Sequence, residues 1–180
     1  MLKGKWVFKV KDELDKVGNS TTRHKARLCF MGSRQIRRLE FNETFAPVAN
    51  FTTIRCILAM TAANGWELHQ MDVKTAFLNG ELDEEVYMGQ PEGYVDPTYP
   101  EKVCRLLQAL YGLKQATKMW YAKLDDFLKS QGFDNIDADA CLHLQMDDGE
   151  IIIIVLVYVH DLLLVGSSME AIDKIKKALR

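Results

Sequence analysis

At 180 residues, with 48% hydrophobic and 27% charged residues, the chain holds enough apolar material for one folded domain and too much for a disordered segment. Its net charge of -2 hides an asymmetry: residues 1–38 carry eleven lysines and arginines against three acids, a surplus of eight, which leaves the rest at -10. A basic stretch beside an acidic remainder suits a surface that meets phosphates next to one that holds cations, although a solvated charged edge gives the same count. The four cysteines, Cys29, Cys56, Cys104 and Cys141, are far apart with no paired spacing, which argues against a zinc site or a disulfide framework. They read as reduced, buried thiols of an intracellular protein. Lys3, Lys5, Lys9 and Lys11 interrupt the first apolar residues, so no secretory leader is expected.

Lys5 to Lys11 alternates apolar and basic residues at period two, and after Gly18-Asn19-Ser20 the run from His24 to Met31 resumes the pattern, which predicts an antiparallel pair with one basic face. Thr52 or Thr53 can cap a helix whose Ile54, Ile57, Leu58 and Thr61 share a face and which Asn64-Gly65 stops. Trp66 to Val73 reads as a strand ending near Asp72. A lone aspartate there is often a helix cap. The acidic stretch Glu81 to Glu85 and the loop from Gln90 to Pro100, with Pro91, Gly93, Pro97 and Pro100, read as a turn-rich surface connection, and Val103 to Leu107 as a short strand. Gly112 and Gln115 precede an amphipathic helix carrying Trp120, Tyr121, Leu124, Phe127 and Leu128, with Gly132 as its stop. Ser167 and Glu170 form a capping box for a last helix through Ile172, Ile175 and Leu179.

The most informative stretch is Ile151 to Val165, an apolar, β-branched run broken once by His160-Asp161. Strands buried on both faces read this way, and the break predicts a hairpin with His160 and Asp161 at its tip. The uncharged run falls short of the roughly 20 residues that a membrane-crossing helix needs.

This hairpin resembles the Tyr-x-Asp-Asp hairpin of reverse transcriptases. With QMDVKTAFLNGEL (Gln70 to Leu82) and LYGLKQATKMWYAKLDDFL (Leu110 to Leu128), in the family's order, nearly the whole chain resembles the copia-type retrotransposon polymerase. The resemblance implies an α+β fold: a palm with an antiparallel sheet backed by helices and a small β fingers extension, fingers over about residues 1–50 and palm over about 51–180, without the thumb. It implies an RNA-directed DNA polymerase acting on an RNA template, a DNA primer and deoxynucleoside triphosphates, in association with other parts of the element's polyprotein. The expected location is cytoplasmic, in a virus-like particle, or nuclear, with no membrane attachment.

On the same footing, Asp72 and Asp161 bind two magnesium ions, with the carbonyl of Val73 completing one coordination sphere. Lys25 and Arg27 hold the triphosphate, Phe77 is the steric gate that excludes a 2′-hydroxyl, and Gln115 touches the nucleotide. A core phenylalanine would leave the same trace as Phe77. Four positions depart from the family pattern: Met31 for an arginine, Thr117 for a proline, Lys118 for an arginine, and His160 for the first aspartate of the pair. Magnesium prefers hard oxygen donors, whereas imidazole is a softer nitrogen ligand that manganese accepts better. A catalytically impaired polymerase and a non-catalytic nucleic-acid-binding relic of one both remain open at this point, with Mg2+, or Mn2+ in its place, as the expected cofactor.

Overall fold

The computed structural model describes residues 2–15 and 18–179. Its elements in chain order are β1 (Gly4–Leu14), β2 (Ser20–Phe30), α1 (Phe51–Asn64), β3 (Glu67–Asp72), β4 (Glu81–Gly89), β5 (Val103–Gln108), α2 (Ala116–Ser130), β6 (Asp134–Ile136), β7 (Asp139–Asp147), β8 (Glu150–Tyr158), β9 (Asp161–Gly166) and α3 (Met169–Ala178). Antiparallel sheets with interspersed helices make this a mixed fold consistent with the α+β class. Contacts gather the chain into two units that interleave in sequence, Met1–Thr44 with Phe77–Met119 and Phe45–Ala76 with Trp120–Arg180, so compactness does not follow a single boundary near residue 50. Among the described residues no helix is long and apolar enough to cross a membrane.

In the first unit, β1 and β2 pair so that Lys9 faces Lys25, Lys11 faces Arg23 and Val7 faces Arg27. Directly opposed residues share a face of the ladder, so Lys5, Lys9, Lys11, Arg23, Lys25 and Arg27 project to one side. Glu13 tempers that face, 3.5 Å from Arg23. The other side carries Trp6, Phe8 and Val10, with Asp12, Thr22 and His24 further along it: Trp6 stacks on Phe8 and tilts against Tyr94, and its indole N–H donates to the carbonyl of Glu92 at 3.0 Å. The acidic stretch Glu81 to Glu85 is not a connection, as expected from its charge, but the start of β4. Alternation resolves the difference, because Glu81, Asp83 and Glu85 face solvent while Leu82, Val86 and Met88 turn inward. That inner side joins Leu2, Phe30, Leu113 and Met119 in the unit's core.

The second unit is built on a five-stranded antiparallel sheet in the order β3-β9-β8-β7-β6. β8 and β9 are inner strands, which is why Ile153 to Val157 and Leu162, Leu164 and Val165 are buried without alternation. β6 and β7 escaped the sequence reading, since acids at 134, 137, 139, 147 and 148 break the apolar pattern. On α2, Trp120, Leu124 and Leu128 are buried as the helical spacing predicts. On α1 only Ile57 and Thr61 are fully buried, while Leu58, expected on that face, is exposed.

Three local expectations are corrected. Neither Thr52 nor Thr53 caps α1, which starts after Asn50; Thr53 instead donates its hydroxyl to Asp139 Oδ2 at 2.7 Å, and the Asn50 N–H reaches the same oxygen at 2.9 Å. The cap of α3 is Ser168 rather than Ser167: its hydroxyl accepts from the Ala171 N–H at 3.4 Å, while the Ser167 N–H still bonds to the Ile152 carbonyl of the sheet. Among the cysteines Cys141 is buried, but Cys56 is exposed and Cys29 and Cys104 are half-buried. Burial pushes the Cys141 thiol up to about 12, aided by the nearby Asp139 charge.

Two carboxylates tie the unit together. Burial tends to raise Asp139, yet hydrogen bonds from the Asn50 N–H, the Thr53 hydroxyl and the Cys141 N–H outweigh it and hold the group below its ordinary value. Asp125 behaves alike: burial works upward, while Lys129 and the buried His143, whose Nε2 lies 3.0 Å from Asp125 Oδ1, pull it down. A depressed folded value means that the stabilisation is present above the unfolded value near about 4 and is lost as pH falls through the folded ones. Melting temperature should therefore fall on acidification below about pH 4, and Asp139→Ala should cost about 3 kcal/mol in urea unfolding at neutral pH while flattening that acid slope.

Candidate functional site

The expected turn chemistry lies one residue earlier than the sequence suggests. β8 ends at Tyr158, which pairs with Asp161, so the two loop residues of the hairpin are Val159 and His160, and Asp161 opens β9. Of the two, Val159 alone has a positive φ, 58°, the φ pattern of a type II′ turn whose usual first residue is glycine. A β-branched residue in this region stores strain of about 1–3 kcal/mol, which persists only where the surroundings hold it. They do so here: the indole N–H of the buried Trp120 donates to the Val159 carbonyl at 2.7 Å, and the Val73 N–H to the His160 carbonyl at 2.9 Å.

The same ladder sets the side chains. β3 runs antiparallel to β9 with Asp72 opposite Asp161, and the two carboxylates come together at the open end of the sheet. His160 lies among them, its Nε2 3.7 Å from Asp72 Oδ1 and 4.0 Å from Asp161 Oδ2. Gln70 orients the second carboxylate by donating to Asp161 Oδ1 at 3.2 Å. Side-chain exposures of 53% for His160, 62% for Asp72 and 37% for Asp161 leave the group open to a solvent-borne ligand.

Chemically the group offers two carboxylates with an imidazole within ion-pair distance of both. Two magnesium ions require several hard oxygen donors held without a competing cationic or nitrogen group, and this set does not fit that requirement. Among the described residues no three histidine, cysteine, aspartate or glutamate side chains are grouped to hold a metal ion. The arrangement supports an electrostatic pairing of His160 with either acid.

The other predicted residues belong to the first unit. Lys25 and Arg27 are half-buried on the basic face of β2. Phe77 is half-buried in a short 3-10 turn, its ring edge-on to Tyr111 with centroids 4.9 Å apart. Gln115 is 1% exposed, and its amide is engaged: it donates to the Glu40 carbonyl at 2.8 Å and accepts from Gln35 Nε2 at 3.0 Å. The opposed amides of Gln35 and Gln115, together with the Lys114 N–H donating to Gln35 Oε1 at 2.8 Å, fix the entrance of α2.

The sequence reading missed Gln35, Gln70, Tyr111 and the hydrogen-bonding role of Trp120. A glutamine or tryptophan gives no local sign of its partner across the fold. Trp120 was assigned to the apolar stripe, where its ring does lie.

The family described as "Reverse transcriptase (RNA-dependent DNA polymerase)" matches residues 1–180. The chain is 45% identical over 175 residues to the Retrovirus-related Pol polyprotein from transposon TNT 1-94 of Nicotiana tabacum, covering 97% of this chain and 13% of that protein. Two Retrovirus-related Pol polyproteins of Arabidopsis thaliana, from transposons RE2 and RE1, are 44% and 42% identical over 163 residues, each covering 91% of this chain and 11% of the relative. The chain thus spans between 11% and 13% of the length of these relatives. No solved structure matches.

Trp120→Phe keeps the ring and removes the donor, which leaves the Val159 carbonyl without its indole partner and the strained loop held from the Val73 side alone. Denaturant unfolding should show a loss of about 1–2 kcal/mol, with chemical-shift changes concentrated at residues 158–161. An unchanged hairpin would mean that the ladder alone holds the loop.

Proposed function

The chain belongs to the reverse transcriptase (RNA-dependent DNA polymerase) family, and we propose that within a copia-type Pol polyprotein it is an RNA-directed DNA polymerase domain catalytically impaired by His160. The five-stranded sheet with α1, α2 and α3 is the palm of this reading, and the β1–β2 hairpin its fingers extension. Asp72 and Asp161, with the Val73 carbonyl, are the metal-binding remnant; Lys25, Arg27, Phe77 and Gln115 are the nucleotide-binding residues. Gln115 would reach a nucleotide only by exchanging one of its present hydrogen bonds. RNA template, DNA primer and deoxynucleoside triphosphates are the substrates of this reading, and other parts of the polyprotein its neighbours.

The observation that carries the impairment is the imidazole nitrogen between the carboxylates, at 3.7 and 4.0 Å. Divalent ions supply a polymerase with charge neutralisation at the attacking and leaving oxygens, worth several kcal/mol. Each 1.36 kcal/mol is tenfold in rate, so replacing a central carboxylate by imidazole costs on the order of a thousandfold.

A second reading, a domain that binds nucleic acid and catalyses nothing, is favoured by one observation of its own: six cations on a single face of the β1–β2 ladder. Such a face meets a phosphate backbone without help from the palm.

Single-nucleotide primer extension on an RNA template in magnesium separates the two. His160→Asp should extend on the order of a thousandfold faster than the parent, and equal rates would remove His160 as the cause. Manganese should raise the residual rate of the parent relative to magnesium, because it accepts imidazole more readily. In binding to an RNA–DNA duplex, Lys9→Gln with Lys11→Gln should lower the slope of log affinity against log salt by about two at most, roughly 0.9 for each lost contact. An unaltered slope would take the basic face out of the interface.

A further inference from the structure

Tyr111 stands in the loop between β5 and α2, in the segment Leu110-Tyr111-Gly112-Leu113, and the nucleotide residues named so far leave it without a role. Its surroundings are specific. The ring contacts Phe77 edge-on, with centroids 4.9 Å apart and planes at 68°, and the guanidinium carbon of Arg27 lies 5.8 Å from the same ring's centroid. One half-buried aromatic side chain therefore touches both the candidate steric gate and a candidate phosphate ligand, which come from distant parts of the sequence.

The backbone of this loop is fixed to the strand that carries Arg27. The Phe30 N–H, at the end of β2, donates to the Tyr111 carbonyl at 2.6 Å. Gly112 has φ 91°, and a Cβ there would collide with the Phe30 carbonyl; a Cβ on Gly32 would in turn collide with the Gly112 carbonyl. Two glycines are thus required for the close approach of loop and strand end, and the approach presents the Tyr111 ring to Phe77 and Arg27.

We propose that Tyr111 is a positioning residue that couples sugar discrimination at Phe77 to triphosphate grip at Arg27. This rests on the reading of Phe77 and Arg27 as nucleotide ligands. A gate excludes a single hydroxyl oxygen only while its ring is held in one orientation, and an edge-to-face contact supplies that restraint. Arginine binds phosphate well only from a rotamer that aims its fork, and the ring face holds the guanidinium in one. Loss of the ring releases both at once, so affinity and sugar selectivity fall together, whereas loss of the tyrosine hydroxyl alone affects neither.

Fluorescent etheno-dATP and etheno-ATP, titrated onto the chain bound to an RNA–DNA primer–template, read both quantities. Tyr111→Leu should weaken etheno-dATP binding by about threefold to tenfold and shrink the deoxy-over-ribo preference by a comparable factor, while Tyr111→Phe should retain the parent's values. A merely structural role would lower both affinities equally and leave their ratio intact. If the parent discriminates and Tyr111→Leu keeps that ratio, the coupling is overturned and the nucleotide-site reading survives. If the parent binds neither triphosphate, the nucleotide-site reading fails and takes the coupling with it. Should Tyr111→Leu fail to melt cooperatively, Tyr111→Met, close in volume and without a ring, carries the same comparison.

Discussion

β9 is hydrogen-bonded along both edges, to β3 on one side and β8 on the other, and the geometry of the acidic group follows from that double constraint. Side chains alternate along a strand, so a slip of one residue in either ladder would send Asp161 to the opposite face from its present neighbours. The slip is prevented by the buried runs themselves: Leu162, Leu164 and Val165 are fully enclosed, and moving them by one position would undo the packing of both faces of the sheet. Hydrophobic burial, roughly 25 cal/mol for each Å² of apolar surface, thereby fixes the position of three polar side chains that contribute little to stability themselves. The strained Val159 is tolerated for the same reason, since Trp120 and Val73 hold the loop from two sides.

That division between scaffold and chemistry bears directly on the residue at position 160. An aspartate and a histidine at the first position after Val159 are nearly interchangeable for the fold, because the side chain is exposed and only the backbone carbonyl is used, by the Val73 N–H. They are not interchangeable for a cation. A substitution of this kind passes the folding constraint untouched and acts on charge alone. In the first unit the requirement is the reverse: Gly32 and Gly112 admit no side chain, so any change there acts on the fold first.

The strands with a pure signal were legible in the sequence. Period two in Lys5 to Lys11 and His24 to Met31 gave the basic hairpin, and the unbroken run from Ile151 gave β8 and β9. What escaped was decided by partners distant in sequence. β7 carries a buried histidine that depends on Asp125 of α2, and Asp139 accepts hydrogen bonds from the start of α1, so neither strand pattern nor cap could be read locally. The tip of the hairpin was misplaced by one residue because polarity marks His160-Asp161, whereas turn geometry is set by backbone pairing, which places Asp161 in the ladder opposite Tyr158. Among the candidate site residues, the family resemblance named Asp72, Val73, Asp161, Lys25, Arg27, Phe77 and Gln115 by their places in its motifs. It could not name Tyr111 or Gln70, whose importance lies in what they touch.

If His160 is what spoils the site, an otherwise intact scaffold presents two acids that its imidazole makes unsuitable for magnesium. Titration of Mg2+ into the parent and into His160→Asp, followed through the backbone amide shifts of residues 71–74 and 159–162, tests it most directly. Saturable shifts at these residues are expected in His160→Asp and no more than weak, non-saturating ones in the parent, with the remaining spectrum superimposable. Equal saturable binding by both chains would contradict it, because the imidazole would then be no obstacle to the ion.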